Sequence, residues 1–376
     1  MASNPSRRAT SAGLCFNPNV ARLPVYNAGM NVAVARSVSG RDDIARLGSN
    51  ENPFGCSPAV MRALTTVAFE PWRYSDSACR SLRLAIGERT GADFDNVVIG
   101  NGSEELIAAI SRAFIVPGAT VVTVAPSFGL HEIEPLAAGA VVSKVPMTEA
   151  LDFDVPGLEQ ALAAAPQMVL LPSPWNPVGP ALDGPLLERL IRAAVPSTLF
   201  VLDEAYREFA EAGLPDGIEV LRRSGIPHVV LRTFSKAWGL AGLRVGYGVC
   251  SDAEIARVIA AAKPPFNVNA AAQAAALAAL GDEPWMRNAV DRIRVERERV
   301  RRSLTDLGLR VAPSQGNFLF FDCGTDSSSL AAELVKDGII VKPWNDPGYR
   351  SFVRASIGLP EENDRLIAAL ARHTAR

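Results

Sequence analysis

Lysine is scarce in this chain of 376 residues: Lys144, Lys236, Lys263, Lys336 and Lys342 stand against 33 arginines. Cysteine is no more abundant. Cys15, Cys56, Cys79, Cys250 and Cys323 are odd in number, scattered and without a C-x-x-C pair. That argues against a disulfide framework or a zinc site and for reduced thiols in a cytosol. His131, His228 and His373 are too widely separated for metal-ligand spacing, so no metal is expected. No apolar run reaches the roughly 18–20 residues of a spanning helix. The alanine-rich region 270–280 is too short and is broken by Gln273. A net charge of −2 gives no electrostatic basis for binding nucleic acid or an anionic membrane. Residues 1–41 lack Asp and Glu entirely yet carry five arginines and five serines. That composition is like a transit peptide's. The stretch is irregular, however, and reads better as a basic arm, flexible or lying on a neighbouring subunit.

What is present is an ordinary globular composition, 48% hydrophobic and 21% charged, long enough for one large core and a smaller one. Short apolar runs at 97–99, 120–125, 140–145, 168–171, 198–202, 229–231 and 247–250 alternate with helical patterns. The alternation predicts an α/β fold, a mostly parallel sheet with helices on both faces. Pro264-Pro265 marks a boundary. Beyond it, helices over 269–280 and 284–306, strands at 317–322, 338–342 and 351–358, and a final helix from about 360 predict a smaller α+β domain. The expected division is an arm over 1–46, a large domain over 47–266 and a small domain over 267–376.

In open parallel sheets ligands bind beyond the carboxyl ends of the strands. Those ends here carry Gly102-Ser103-Glu104, Phe128, Asn176, Asp203 with Tyr206, and Ser235-Lys236, with Arg244 next in a glycine-rich stretch. Each has a plain structural explanation: a helix cap, a core aromatic, a turn residue, a surface lysine. One cofactor explains them together. Lysine can form a Schiff base once deprotonated, whereas arginine cannot. A carboxylate after four apolar residues, Asp203, can keep a ring nitrogen protonated. Asn176 and Tyr206 can bond a ring hydroxyl, and Phe128 can stack on the ring. A phosphate suits the helix start at Ser103 beside Ser235 and Arg244. The set describes pyridoxal phosphate. A dinucleotide reading fails because the sixth position of Gly100-Asn101-Gly102 onward is Glu105, and no G-x-x-x-x-G-K-[ST] loop exists.

The pieces SNENPFG (49–55), Tyr74, NGSEE (101–105), PSFG (126–129), PSPWNPVG (172–179), DEAY (203–206), RTFSKAWGLAGLRVGY (232–247), PFNVNAAAQ (265–273), GNFLF (316–320) and VRASIG (353–358) closely resemble fold-type-I pyridoxal-phosphate aminotransferases. Within them they resemble the histidinol-phosphate aminotransferase group. The resemblance implies an internal aldimine at Lys236, which also shuttles a proton, and ping-pong transfer from histidinol phosphate to 2-oxoglutarate. It implies that Asp203 pairs with the pyridine nitrogen, that Asn176 and Tyr206 hold the ring oxygen and that Phe128 stacks. Gly102, Ser103, Glu104 through backbone amides, Ser235 and Arg244 hold the phosphate. Tyr74 reaches the phosphate of the partner subunit's cofactor, which implies an obligate homodimer; the cysteine usage places it in the cytoplasm. Arg354 grips the substrate carboxylate, Asn52 borders the substrate pocket, and Lys342 stands where the group commonly has a phosphate-binding arginine.

Two departures bear on the substrate. Trp175 and Val178 replace residues of the usual N-N-P-T-G motif, and Lys342 lacks the planar fork of arginine. They leave room for an aromatic amino-acid aminotransferase, and more remotely for a phospho-amino-acid decarboxylase of the same fold. A cofactor-sensing regulator would need a DNA-binding domain, for which the acid-free first 41 residues are too short and irregular.

Overall fold

The computed structural model describes residues 14–24, 26, 29–66 and 70–374. The arm's first 13 residues, and 67–69 at the end of the helix expected over 58–69, lie outside them. The short β1 (Ala45–Arg46) comes first among the strands. A central sheet comes next, built from β2 (Val97–Gly100), β3 (Thr120–Ala125), β4 (Val141–Pro146), β5 (Met168–Pro172), β6 (Leu199–Asp203), β7 (His228–Thr233) and β8 (Gly246–Cys250). Its order is β2-β8-β7-β6-β5-β3-β4, and β8 alone runs antiparallel to its neighbours. The middle strands β5, β6 and β7 are buried at every residue. That is why they read as unbroken apolar runs rather than alternating ones. The edge strand β4 is largely open to solvent and carries Ser143 and Lys144, which discourages pairing with another chain.

The strand directions put the site residues on one edge. β2, β3, β5, β6 and β7 all end there. The reversed strand β8 begins there, with Gly246 opposite both Gly100 and Thr233. Arg244, two residues before β8, is thereby delivered to the same edge as residues 102–104.

The smaller antiparallel sheet comprises β9 (Arg310–Val311), β10 (Phe318–Asp322), β12 (Lys342–Pro343) and β13 (Phe352–Ser356), in the order β12-β13-β10-β9. The run at 338–342, expected as one strand, is divided. β11 (Ile339–Ile340) pairs parallel with β1, while β12 joins the small sheet. Ile339, Ile340 and Val341 are all buried, so apolar pattern alone does not show where one pairing partner gives way to the next. Helix Val32–Ser39 is not legible in the irregular arm. Asn31 caps it by accepting from Ala33 N at 2.7 Å, and Gly40, at φ 67°, closes it by donating to Arg36 O. Its Ala35 packs with Val335 and Ile340. Helix Ala270–Leu280 packs against helices Pro58–Thr66 and Arg80–Thr90.

Candidate active site

A cavity of about 670 Å³ opens at the carboxyl edge of the large sheet, facing the small one. Ser103, Glu104, Phe128, Asn176, Asp203, Tyr206, Ser235, Lys236, Arg244, Lys342 and Arg354 all line it. Residues far apart in the sequence thus meet in one space.

One end is a cradle for an anion. Helix Ser103–Phe114 points its amino end into the cavity after Gly102, which sits at φ 76°. A Cβ on Gly102 would lie 2.5 Å from Arg244 Nη2, and one on Gly246 would lie 2.5 Å from Ser103 N. Both glycines therefore let the loop, the helix start and the guanidinium approach one another. Arg244 donates from Nη1 to Ser235 Oγ at 3.3 Å and from Nη2 to Glu104 Oε1 at 2.6 Å.

The middle holds Asp203, Tyr206, Phe128 and Lys236. Asp203, 6% exposed, faces His131 Nε2 at 3.0 Å through Oδ2, and its Oδ1 accepts from Ala205 N at 3.0 Å. His131 Nδ1 in turn lies 3.0 Å from Ser127 Oγ. Asn50 Nδ2 donates to the Tyr206 hydroxyl at 2.9 Å. Burial pushes that phenol up to about 12, so it remains a donor at neutral pH. Phe128 meets His131 edge-on, with centroids 5.5 Å apart. Lys236 Nζ donates to Ser49 O at 2.9 Å. Burial, reinforced by the charge of Arg354, pushes its ammonium down to about 7. The amine therefore reaches its neutral, nucleophilic form near neutral pH.

The other end is cationic. Lys342 and Arg354 are directly opposite one another in the β12–β13 pair. Arg354 donates to Asn176 Oδ1 at 2.7 Å and to Gly48 O at 2.6 Å, while its buried Nε has no partner. Burial and the same Arg354 charge push Lys342 down to about 8. An anion here would answer both charges and the unsatisfied Nε.

Asn52 and Tyr74 are not brought into this cavity. Asn52 donates to Ala237 O at 2.9 Å and accepts from Phe54 N at 3.0 Å, bracing the turn behind the site. Tyr74 is 83% exposed and stacks on Phe266 with centroids 4.4 Å apart. Trp175 lies beneath the site, fully buried, against Phe153 at 4.6 Å, with Nε1 donating to Pro126 O at 2.7 Å. Among the cavity residues that escape a reading of the sequence are His131 and Tyr26. His131 enters that reading only where the histidines are set aside as metal ligands. Its signal is its position five residues beyond Pro126 at the end of β3, one helical turn from Ser127. Tyr26, which meets Phe128 edge-on at 6.0 Å, belongs to the arm and has no pattern around it.

The fold and this edge define a transferase built to hold a phosphorylated ring on a lysine. The chain belongs to the aminotransferase class I and II family, whose description matches residues 42–370. It is 43% identical over 346 residues to histidinol-phosphate aminotransferase 3 of Rhizobium meliloti (strain 1021), covering 92% of this chain and 94% of that one. It is 44% identical over 358 residues to histidinol-phosphate aminotransferase 1 of Mesorhizobium japonicum, covering 94% and 96%. A crystal structure of histidinol-phosphate aminotransferase from Sinorhizobium meliloti in complex with pyridoxal-5'-phosphate superposes with a TM-score of 0.87 at 31% identity, covering 98% of this chain and 99% of that one. Pyridoxal 5'-phosphate, the cofactor of this transaminase, fits the edge on three observations: the glycine-lined anion cradle, the buried Asp203 carboxylate and the lysine amine pushed toward neutrality. Among the described residues no group of His, Cys, Asp and Glu is placed to hold a metal, and no helix is long and apolar enough to cross a membrane.

Proposed function

We propose that this chain transfers the amino group of histidinol phosphate to 2-oxoglutarate, as a cytoplasmic homodimer. One observation carries the substrate reading. Lys342 and Arg354 stand side by side in the β12–β13 register, and both line the cavity. A phosphate monoester on the amino donor and a carboxylate on the keto acid both answer that pair. The names of the relatives support the same reading.

When bound, the cofactor supplies an aldehyde for an amine and a ring that accepts the electron pair released at the substrate carbon. Lys236 holds the cofactor and, as a neutral amine, takes the proton from the substrate carbon and later returns one. Asp203, fixed by His131, presents its charge to the ring nitrogen. Asn176 and Tyr206 bond the ring oxygen, and Phe128 covers one face of the ring. Gly102 allows Ser103 and Glu104 to offer backbone amides to the phosphate, joined by Ser235 and Arg244. Lys342 and Arg354 orient the substrate through its anion, with Asn52 bracing the segment that borders it.

Tyr74 serves the second copy of the chain. Its exposed ring, stacked on Phe266 at 43% exposure, forms an aromatic patch that a partner would cover. Glutamate formation from histidinol phosphate and 2-oxoglutarate tests the activity. Sedimentation tests the dimer. Absence of glutamate overturns the substrate reading, and a monomer at micromolar concentration overturns the role of Tyr74.

A further inference from the structure

The hairpin that carries the cationic pair has a tip, residues 344–351, between β12 and β13. Trp344, Asn345, Asp346 and Tyr349 of this tip line the cavity, so the tip forms one of its walls. The tip's other bonds stay within the small domain: Ser327 Oγ donates to Trp344 O at 3.2 Å, Ser328 Oγ to Asn345 Oδ1 at 2.8 Å and Ser327 N to Arg350 O at 2.8 Å. Trp344 Nε1 donates to Asp346 Oδ2 at 2.9 Å, Tyr349 N to Asp346 O at 3.0 Å and Trp344 N to Phe352 O at 3.0 Å. Among the described residues, one hydrogen bond of the tip crosses the cavity to the large sheet. The Tyr349 hydroxyl donates to the carbonyl oxygen of Ala125, the last residue of β3, at 3.0 Å. Ala125 leads directly into Pro126, Ser127 and Phe128, the segment that covers the ring-binding end. The opposite rim is bridged several times over. Arg354 bonds Gly48, Asn50 N donates to Ser356 Oγ at 2.7 Å, and Asn317 Nδ2 donates to Asn50 O at 3.0 Å. The two rims therefore differ: residues 48–50 are tied to the small sheet by several bonds, and the tip is tied to the large sheet by a phenol.

We propose that Tyr349 is the latch of the substrate cleft: its hydroxyl, bonded to the Ala125 carbonyl, fixes the Lys342–Arg354 hairpin against the end of β3, and this bond opens and re-forms as substrate is admitted.

Three further features suit a reversible closure. The Ala125 carbonyl also accepts from Met147 N at 2.8 Å, so releasing the phenol strands no buried acceptor. The Tyr349 ring rests edge-on against Phe352, centroids 6.3 Å apart, and so stays anchored to its own strand when the hydroxyl lets go. Burial pushes the phenol above its ordinary value, which keeps it a donor through neutral pH. A neutral hydrogen bond of this kind is weak enough to break on each turnover. Tyr349 is a positioning residue. It touches neither reacting atom and acts through the placement of Lys342 and Arg354.

The inference rests on the substrate reading above for its ligand, and Tyr349→Phe in the cofactor-loaded enzyme tests it with readouts that separate the two. Hydrogen exchange of residues 343–352, measured without substrate, is expected to quicken in the variant, because the tip loses its tie to β3. The KM for histidinol phosphate, and separately for glutamate as donor, is expected to rise about fivefold, the equivalent of that one bond. Both kcat and the melting temperature are expected to stay within about twofold and about 2 °C of the parent's. Unchanged exchange and unchanged KM for both donors would overturn the latch. Parallel losses of kcat and melting temperature would overturn it in favour of a merely structural tyrosine. A parent enzyme that ignores histidinol phosphate would overturn the substrate reading alone, with the latch still decided by exchange and by glutamate.

Discussion

His131 and Asp203 share a hydrogen bond of 3.0 Å between Nε2 and Oδ2, inside a wall where His131 is wholly buried. The imidazole comes from the helix after β3 and the carboxylate from the end of β6, so one bond couples two layers of the site. Its partner Ser127, bonded to Nδ1, leaves Nε2 as the ring nitrogen turned toward Asp203. Replacing His131 with Ala leaves a buried carboxylate oxygen short of a partner, a loss of about 1–3 kcal/mol. We expect His131→Ala to lower kcat/KM by about 5- to 150-fold while the cofactor's visible absorbance persists. Steady-state kinetics with matched spectra check this, and an unchanged kcat/KM would contradict it.

Lys236 is expected to set the pH dependence of cofactor uptake. Burial and Arg354 lower its pKa to about 7, so the neutral amine dominates above that pH and the inert ammonium below it. Reconstitution of cofactor-free enzyme should proceed at a pH-independent rate above about 7 and slow about tenfold for each pH unit below. Lys236→Arg removes the neutral amine altogether. Turnover should then fall by about 10⁴-fold, with the fold retained. Stopped-flow absorbance against pH checks the first statement and a discontinuous assay the second.

Lys342 gives the substrate end its own pH signature. It loses its charge above about 8, whereas an arginine in its place would not. The kcat/KM for histidinol phosphate should therefore carry a descending limb near pH 8 in the parent, and Lys342→Arg should abolish that limb. Lys342→Ala should raise KM by about 10- to 150-fold, the worth of a hydrogen bond to a charged group.

Trp175 is expected to matter for stability and not for substrate. It is buried between Phe153 and the Pro126 carbonyl and does not line the cavity. Trp175→Phe should destabilise the protein by about 1–3 kcal/mol through a smaller ring and a stranded carbonyl. Thermal melting and KM for histidinol phosphate check it together, and a large KM change with an unaltered melt would contradict it.

The cofactor edge is legible in the sequence because its residues sit at the ends of buried strands. Such strands announce themselves as continuous apolar runs, and the residues just past each parallel run are forced to the same edge. Asp203 after Leu199–Leu202, and Lys236 after β7, stand out in that way. Arg244 stands out through its glycines, although the reason it reaches that edge, the reversal of β8, is a tertiary fact. Less can be read where tertiary partners decide. The run at 338–342 changes sheets at Val341 because β1 pairs with Ile339–Ile340 and β13 with Lys342–Pro343, and nothing local marks the change. Helices Gly217–Ser224, Ala253–Ala262 and Ser327–Lys336 are absent from the sequence reading, though Asp216, Asp252 and Asp326 cap each of them. Those caps are a local signal that could have found them. His131 can be assigned only once β3 and β6 are known to be near neighbours in the sheet. Asn52 and Trp175 show the converse: a motif places a residue near a site but does not say which way its side chain turns.

The most direct test is a pair of absorbance spectra of the purified, cofactor-loaded protein, taken before and after adding histidinol phosphate with no keto acid present. The visible band of the lysine-held cofactor should give way to the near-ultraviolet band of its aminated form, and 2-oxoglutarate should then restore it. A visible band that histidinol phosphate leaves untouched, but that phenylalanine or tyrosine bleaches, would contradict the substrate reading. A protein with no band even after added cofactor would contradict the role of Lys236 itself.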